Sequence, residues 1–163
     1  MNRSTDERTT PLWFFRELDR EFHFDLDAAA TKRNTRCPLW LGPGSPIAED
    51  ALAYEGWFEL PEAFPGGGVL RIASIFLNPP YSALRRWVAK AVEEIQRGPR
   101  GGRLVMLLPS DTSTRWFHDG IWDGDRHRPR PWVRHIRFPS KRLAFGPHTK
   151  SAKWPTMVVV FGR

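Results

Sequence analysis

The sequence predicts an α/β fold built on a mainly parallel sheet with an antiparallel C-terminal strand pair. Three observations predict it. Apolar runs suited to buried strands recur at residues 70–77, 104–108 and 157–161. Between them, Leu84, Trp87, Val88, Ala91, Val92 and Ile95 repeat at helical spacing. With 40% hydrophobic and 13% aromatic residues in 163, alternation of these two periods marks strand–helix–strand units. A chain of this length buries about 70% of its unfolded surface around one core, so residues 1–163 read as one domain.

In chain order, residues 1–9 form a polar tail. Thr10-Pro11 then opens a helix over about 11–20, with a hydroxyl N-cap, a proline at the first helical position, and Leu12, Phe15, Leu18 and Phe22 on one face. Residues 22–27 alternate apolar and polar and predict a strand, with Asp25 and Asp27 at its exit. From 28 to 68 the chain is rich in proline and reads as a long loop with short helical pieces, irregular above all at 38–68. The apolar run 70–77 predicts one strand buried on both faces. It stops at Asn78-Pro79-Pro80-Tyr81. Ser82 can cap the following helix and Gly98 ends it. Next come a strand at 104–108, a short helix at 112–122, an irregular Arg/Pro-rich link at 124–131, and strands at 132–138 and 157–161.

Composition narrows the function classes. No stretch reaches the roughly 20 apolar residues of a membrane helix, and the polar start lacks a signal-peptide core, so a cytoplasmic protein is expected. A single cysteine, Cys37, and five scattered histidines offer neither an internal disulfide nor metal-ligand spacing. No metal is expected. The net charge of +7 is uneven: residues 1–82 carry 8 basic and 12 acidic side chains, residues 83–163 carry 17 and 6. A basic half of that kind suits a polyanion, since clustered Lys and Arg bind phosphates by counterion release. Nothing in the sequence sets the oligomeric state.

The most informative residues are Asn78-Pro79-Pro80-Tyr81. Two prolines straight after a buried strand fix φ and remove backbone donors, which leaves the Pro79 carbonyl as an outward acceptor. Asn78 adds a side-chain acceptor and Tyr81 a flat ring. They stand at a strand C-terminal end, where open α/β sheets bind ligands. Two acceptors and a stacking ring fit a planar group bearing an exocyclic NH2.

These residues resemble the catalytic motif of S-adenosylmethionine-dependent amino-methyltransferases. An ordered set narrows the likeness to the phage-type DNA N6-adenine methyltransferases: Thr10-Pro11, Phe24 to Ala29, Asn34 and Cys37, Phe76 to Tyr81, Trp87 to Ala91, Met106 to Pro109, Trp116 to Asp119, and Lys141 to Gly146. The likeness spans about residues 10–162 and implies a reduced Rossmann-like methyltransferase sheet acting on double-stranded DNA. It implies that Asn78 and the Pro79 carbonyl accept the two N6 hydrogens of a flipped-out adenine, with Pro80 stiffening the turn and Tyr81 stacking on the base. For S-adenosylmethionine it implies Thr10, Pro11, Trp13, Asp25, Asp27, Ala28 and Asn78 as contacts. Residues 27–30 lack the usual glycine-rich turn. Arg85, Arg128, Arg130, Lys141 and Arg142 are the expected DNA contacts, through phosphate rather than bases. Two other readings stand beside this one. One is a DNA-binding module without catalysis; the other is an amino-methyltransferase acting on RNA or on protein glutamine. Ser113, His118 and Asp119 lack a nucleophile-elbow pattern, so a hydrolase is not expected.

Overall fold

A computed structural model describes residues 9–61, 67–145 and 155–163. The polar tail at 1–8, Gly66 and Gly146 lie outside the described residues.

Helix α1, Leu12–Phe22, presents Phe14, Phe15, Leu18 and Phe22 to the core. Pro11 is its N-cap, and the Pro11 carbonyl accepts from the amides of Phe14 and Phe15. The Thr10 hydroxyl is therefore not the cap, contrary to the sequence expectation. His23 ends the helix in the left-handed region at φ 50°. Two short strands follow, β1 (Leu26–Asp27) and β2 (Leu39–Trp40). The expected strand over 22–27 thus shrinks to its last two residues. Phe22 and Phe24 are buried, but against α1 and its partners rather than in a ladder, so alternation there recorded burial without pairing.

β3 (Glu59–Pro61) pairs antiparallel with β4 (Val69–Arg71) as a ribbon outside the main sheet, and β5 (Ser74–Leu77) enters the sheet. The single strand expected over 70–77 is therefore split. At the break, one carboxylate oxygen of Asp25, distant in sequence, accepts from the amides of both Ala73 (2.8 Å) and Ser74 (3.0 Å). A 3-10 turn, Tyr81–Ala83, leads into helix α2, Leu84–Arg97; Ser82 does not cap it, because Ala83 occupies that position. Gly98 does end α2, although its φ of −67° is open to any residue. Packing requires the glycine, since a Cβ there would lie 2.7 Å from the Phe58 ring.

β6 (Arg103–Pro109), the short helix α3 (Arg115–Gly120), β7 (Trp122–Asp123), β8 (Arg128–Pro129), β9 (Val133–Arg137) and β10 (Thr156–Gly162) complete the chain. α3 is shorter than expected because Asp111 first folds the chain into a turn, accepting from Ser113 and receiving Thr114 at its carbonyl. The link at 124–131 is also more ordered than expected. β7 and β8 form a ribbon there, fastened by two Arg130 N–H groups on the His118 carbonyl.

The main sheet runs β2-β1-β5-β6-β10-β9. β2, β1, β5 and β6 are mutually parallel, and β10 is antiparallel to both β6 and β9. The expected fold class is observed. Alternating strand residues feed two layers: Phe76, Val105, Leu107, Val158 and Val160 pack with α1, while Ile75, Leu77, Leu104, Met106 and Val159 pack in the cluster of α2. From β1 the chain goes to β2 on one side and later to β5 on the other. That reversal opens a crevice at the strand C-terminal ends, where α/β sheets place ligands.

Behind the sheet, Lys90 and Glu94 form a buried ion pair at 2.6 Å, with 7% and 2% of their side chains exposed. Glu94 also accepts from the amides of Gly56 (3.3 Å) and Trp57 (2.8 Å), and the Lys90 ammonium lies 5.8 Å from the Trp57 ring centre. The pair ties the loop before β3 to α2.

Candidate active site

Asn78 follows β5 directly, so the crevice between β1 and β5 opens beside it. It borders a cavity of about 260 Å3 whose lining includes Ala29, Thr31, Asn34, Gly42, Glu49, Asp50, Pro80 and Trp87. These residues come from the exits of β1, β2 and β5 and from one face of α2. Pro79 is buried, and Tyr81 is half-buried at the first position of the 3-10 turn. The Asn78 amide is oriented by a hydrogen bond in which Nδ2 donates to Thr10 Oγ1 at 3.0 Å. Thr10 is 3% exposed.

Asp27 and Asp25, adjacent in sequence reading, part company in space. Asp27 sits at the exit of β1, 3% exposed, with Oδ2 accepting from the Arg36 amide (3.1 Å) and Oδ1 from the Ala29 amide (3.5 Å). Its carboxylate holds its own loop in place. Asp25 instead precedes β1, pinned to the amides of Ala73 and Ser74 at the start of β5. It lies four strand positions from Asn78 in register, or about 13 Å at 3.3 Å per residue. Ala28 is fully buried beneath the crevice, while Trp13 is 58% exposed on α1 and shares a surface groove with Phe138 and Lys141. Thr10, Asp27, Ala28 and Asn78 are thus brought together, and Asp25 and Trp13 are not.

Burial pushes the Asp27 carboxyl up from 3.8 to about 6, against the opposing pull of the Arg36 and Ala29 amides and the Arg36 charge. The folded state then holds this proton more tightly than the unfolded chain. The stability it contributes is complete below about pH 4 and is lost as pH rises through 6. Relative to Asp27→Asn, the wild type should lose about 3 kcal/mol over that interval, 1.36 kcal/mol per unit. Urea unfolding at pH 4 and pH 7.5 measures it. Parallel pH profiles for the two proteins would show that Asp27 is not the group responsible.

Three features in or near the cavity escaped the sequence reading. Gly42 has φ +131°, and a Cβ there would fall 2.1 Å from the Ala30 carbonyl oxygen. The close backbone approach missing from 27–30 is therefore supplied by the facing strand exit. A Leu-Gly-Pro run straight after the apolar pair of β2 was the available signal. Glu49 and Asp50 bring carboxylates to the cavity rim, and their distance of some 20 residues from the β1 exit is the spacing of the acidic residue in dinucleotide folds. Arg36 reaches back to donate from Nη2 to the Thr10 carbonyl at 2.8 Å. Only the tertiary fold shows that bond.

Of the expected DNA contacts, Arg85, Arg128, Lys141 and Arg142 are exposed. Arg130 is half-buried and engaged with the His118 carbonyl, with Asp123 3.8 Å away. Ser113 and His118 do not meet: Ser113 donates to Asp111, and the His118 ring contacts the Thr112 carbonyl. Among the described residues no cluster of three or more metal-type ligands occurs, and no helix is long and apolar enough to cross a membrane.

A family model described as DNA N-6-adenine-methyltransferase (Dam) matches residues 1–153. The chain is similar to the DNA N-6-adenine-methyltransferase of Haemophilus phage HP1 (strain HP1c1), 26% identical over 155 residues, covering 93% of this chain and 76% of that protein. It is also similar to the DNA N-6-adenine-methyltransferase of Escherichia phage T1, 30% identical over 94 residues, or 58% of this chain. That match spans 31% of the phage T1 protein.

Proposed function

Since the chain belongs to the DNA N-6-adenine-methyltransferase (Dam) family, we propose that it methylates the N6 amino group of adenine in double-stranded DNA, using S-adenosylmethionine. The observation that carries this reading is the Asn78-Pro79-Pro80-Tyr81 turn at the exit of β5, beside a cavity at the sheet's switch point.

The cavity suits the methyl donor chemically. Leu41, Ala51 and Trp87 offer apolar surface for its adenine, Gly42 allows close backbone approach, and Glu49 and Asp50 offer acceptors for ribose hydroxyls or the ammonium group. In this reading those two carboxylates take the part first expected of Asp25. Asp27 holds the amide of Ala29 at the cavity edge, and Thr10 holds the side chain of Asn78. When bound, the donor supplies an electrophilic methyl group that carries its own leaving group.

The rest is the work of the chain. Asn78 Oδ1 and the Pro79 carbonyl accept the two amino hydrogens, which draws the nitrogen lone pair out of ring conjugation and aims it along the transfer line. Positioning and fixed acceptors supply the rate enhancement. Tyr81 stacks on the target base once it leaves the duplex. Arg85, Arg128, Lys141 and Arg142 bind phosphates, and the setting is the cytoplasm of a host cell, where DNA is available.

The test is direct. The purified protein is incubated with S-adenosylmethionine and DNA from a methylase-deficient host, and the nucleosides are quantified by mass spectrometry. N6-methyladenine should accumulate in proportion to enzyme. Methyl transfer to RNA or to protein glutamine alone, or cofactor-free DNA binding without transfer, would replace this reading.

A further inference from the structure

Resting on that functional reading, we propose that Phe138 is a DNA-contact residue: an apolar ridge that meets the duplex about four base pairs from the target adenine. Phe138 is the most exposed large apolar side chain among the described residues, at 63%. It lines two grooves and forms the ridge they share. One, of about 270 Å3, it lines with Trp13 and Lys141; the other, of about 590 Å3, with Trp122, Ile136 and Arg134. Trp13 is itself 58% exposed. Apolar surface gathered in one place on the outside of a domain marks a contact surface, since covering it removes it from water.

The charges around the ridge indicate what covers it. Residues 112–142 carry eight Lys and Arg against three Asp and no Glu. Arg134, Lys141 and Arg142 are exposed. Among the described residues Glu17 is the one carboxylate lining the two grooves, while Arg137 is already engaged by Glu21 at 2.6 Å. An aromatic ridge flanked by cations suits a nucleic acid: the ring covers base surface while the cations take phosphates on either side. The sheet register puts the ridge within reach of the duplex that feeds Asn78. Leu77 pairs with Met106, Leu107 with Val158, and Val158 with Arg137. Arg137 thus stands level with the residue after Leu77, which is Asn78, and Phe138 follows at the same end of the sheet. From β5 to β9 the order is β5-β6-β10-β9, three spacings of about 4.8 Å, or about 14 Å. At 3.4 Å per base step, that is about four base pairs. A duplex lying across this end of the sheet, with its target base at Asn78, therefore meets Phe138.

The test measures duplex DNA binding by filter binding, without cofactor, for Phe138→Ala, with Val69→Ala as the control. Val69 is 61% exposed but lies on the β3–β4 ribbon, outside the main sheet. Phe138→Ala should weaken binding about tenfold, within the range for losing one aromatic contact to a base; Val69→Ala should change it less than about twofold. Because Phe138→Ala removes no cation, its slope of log affinity against log salt should match the wild type, whereas Lys141→Gln should lower that slope by about one. Hydroxyl-radical footprinting, on a duplex with a single methylated site, should show protection lost in Phe138→Ala about three to five base pairs from the methylated adenine. Unchanged DNA affinity in Phe138→Ala, as expected if a protein covers the ridge, an equal loss in Val69→Ala, or protection lost elsewhere on the duplex would each overturn the proposal. A wild type that binds DNA through Phe138 yet forms no N6-methyladenine would keep the DNA contact and overturn the functional reading instead, and with it the spacing from a target adenine.

Discussion

In the proposed reaction, replacing Asn78 with alanine is expected to lower methyl transfer to adenine about a thousandfold, because that reading makes it one of two fixed acceptors where charge develops. The fold should survive. Asn78 is half-buried, it follows β5 rather than lying within it, and the four core residues Ser74–Leu77 are untouched. Truncation does leave the Thr10 hydroxyl without its amide donor, so a stability loss of about 1 kcal/mol is expected. That is far too small to explain the rate. Binding of S-adenosylmethionine, read by calorimetry, should weaken only modestly, since Asn78 is one of many residues around the cavity. The contrast to measure is kcat against affinity. Retention of more than about a tenth of kcat would move the acceptor role away from Asn78, because an interaction made only in the transition state cannot be lost so cheaply.

The largest stability effect should come from Glu94→Ala, two helical turns along α2 from Trp87. The substitution strands the Lys90 ammonium in the core and leaves the Gly56 and Trp57 amides without their carboxylate. Removing one partner of a buried pair costs about 3–5 kcal/mol, a large share of a domain's total. Urea unfolding followed by the fluorescence of buried Trp57 measures it. The double variant Lys90→Met/Glu94→Gln removes both charges and keeps an acceptor for the Trp57 amide, so it should recover most of the loss. A double variant as unstable as Glu94→Ala would show that the amide contacts, not the stranded charge, dominate.

Much of this architecture was legible in advance, and the residues show why. α2 follows from a repeat of Leu84, Trp87, Val88, Ala91 and Ile95 that only a helix can bury on one side. β6, β5 and β10 follow from apolar runs whose interior strands are covered on both faces. The turn at Asn78-Pro79-Pro80-Tyr81 was legible because two consecutive prolines end the apolar run of β5. Where the reading failed, a contact distant in sequence overrode a local pattern. Asp25 read as a strand-exit residue and instead holds the start of β5, because its partners Ala73 and Ser74 lie 48 and 49 residues away. Thr10 looked like a helix cap and instead meets Asn78, 68 residues on. Gly42 drew no attention, since nothing in its neighbourhood shows that the Ala30 carbonyl lies where a side chain would be.

The sequence by itself determined the α/β class, the basic C-terminal half, and the acceptor-bearing turn after β5, because periodicity, composition and a contiguous motif are properties of local chain. The tertiary structure alone decided which strands flank β1, where the switch-point cavity opens, which carboxylates reach it, and which way the Asn78 amide is held. Those depend on groups brought within 3 Å from dozens of residues apart, and a linear pattern does not encode such distances.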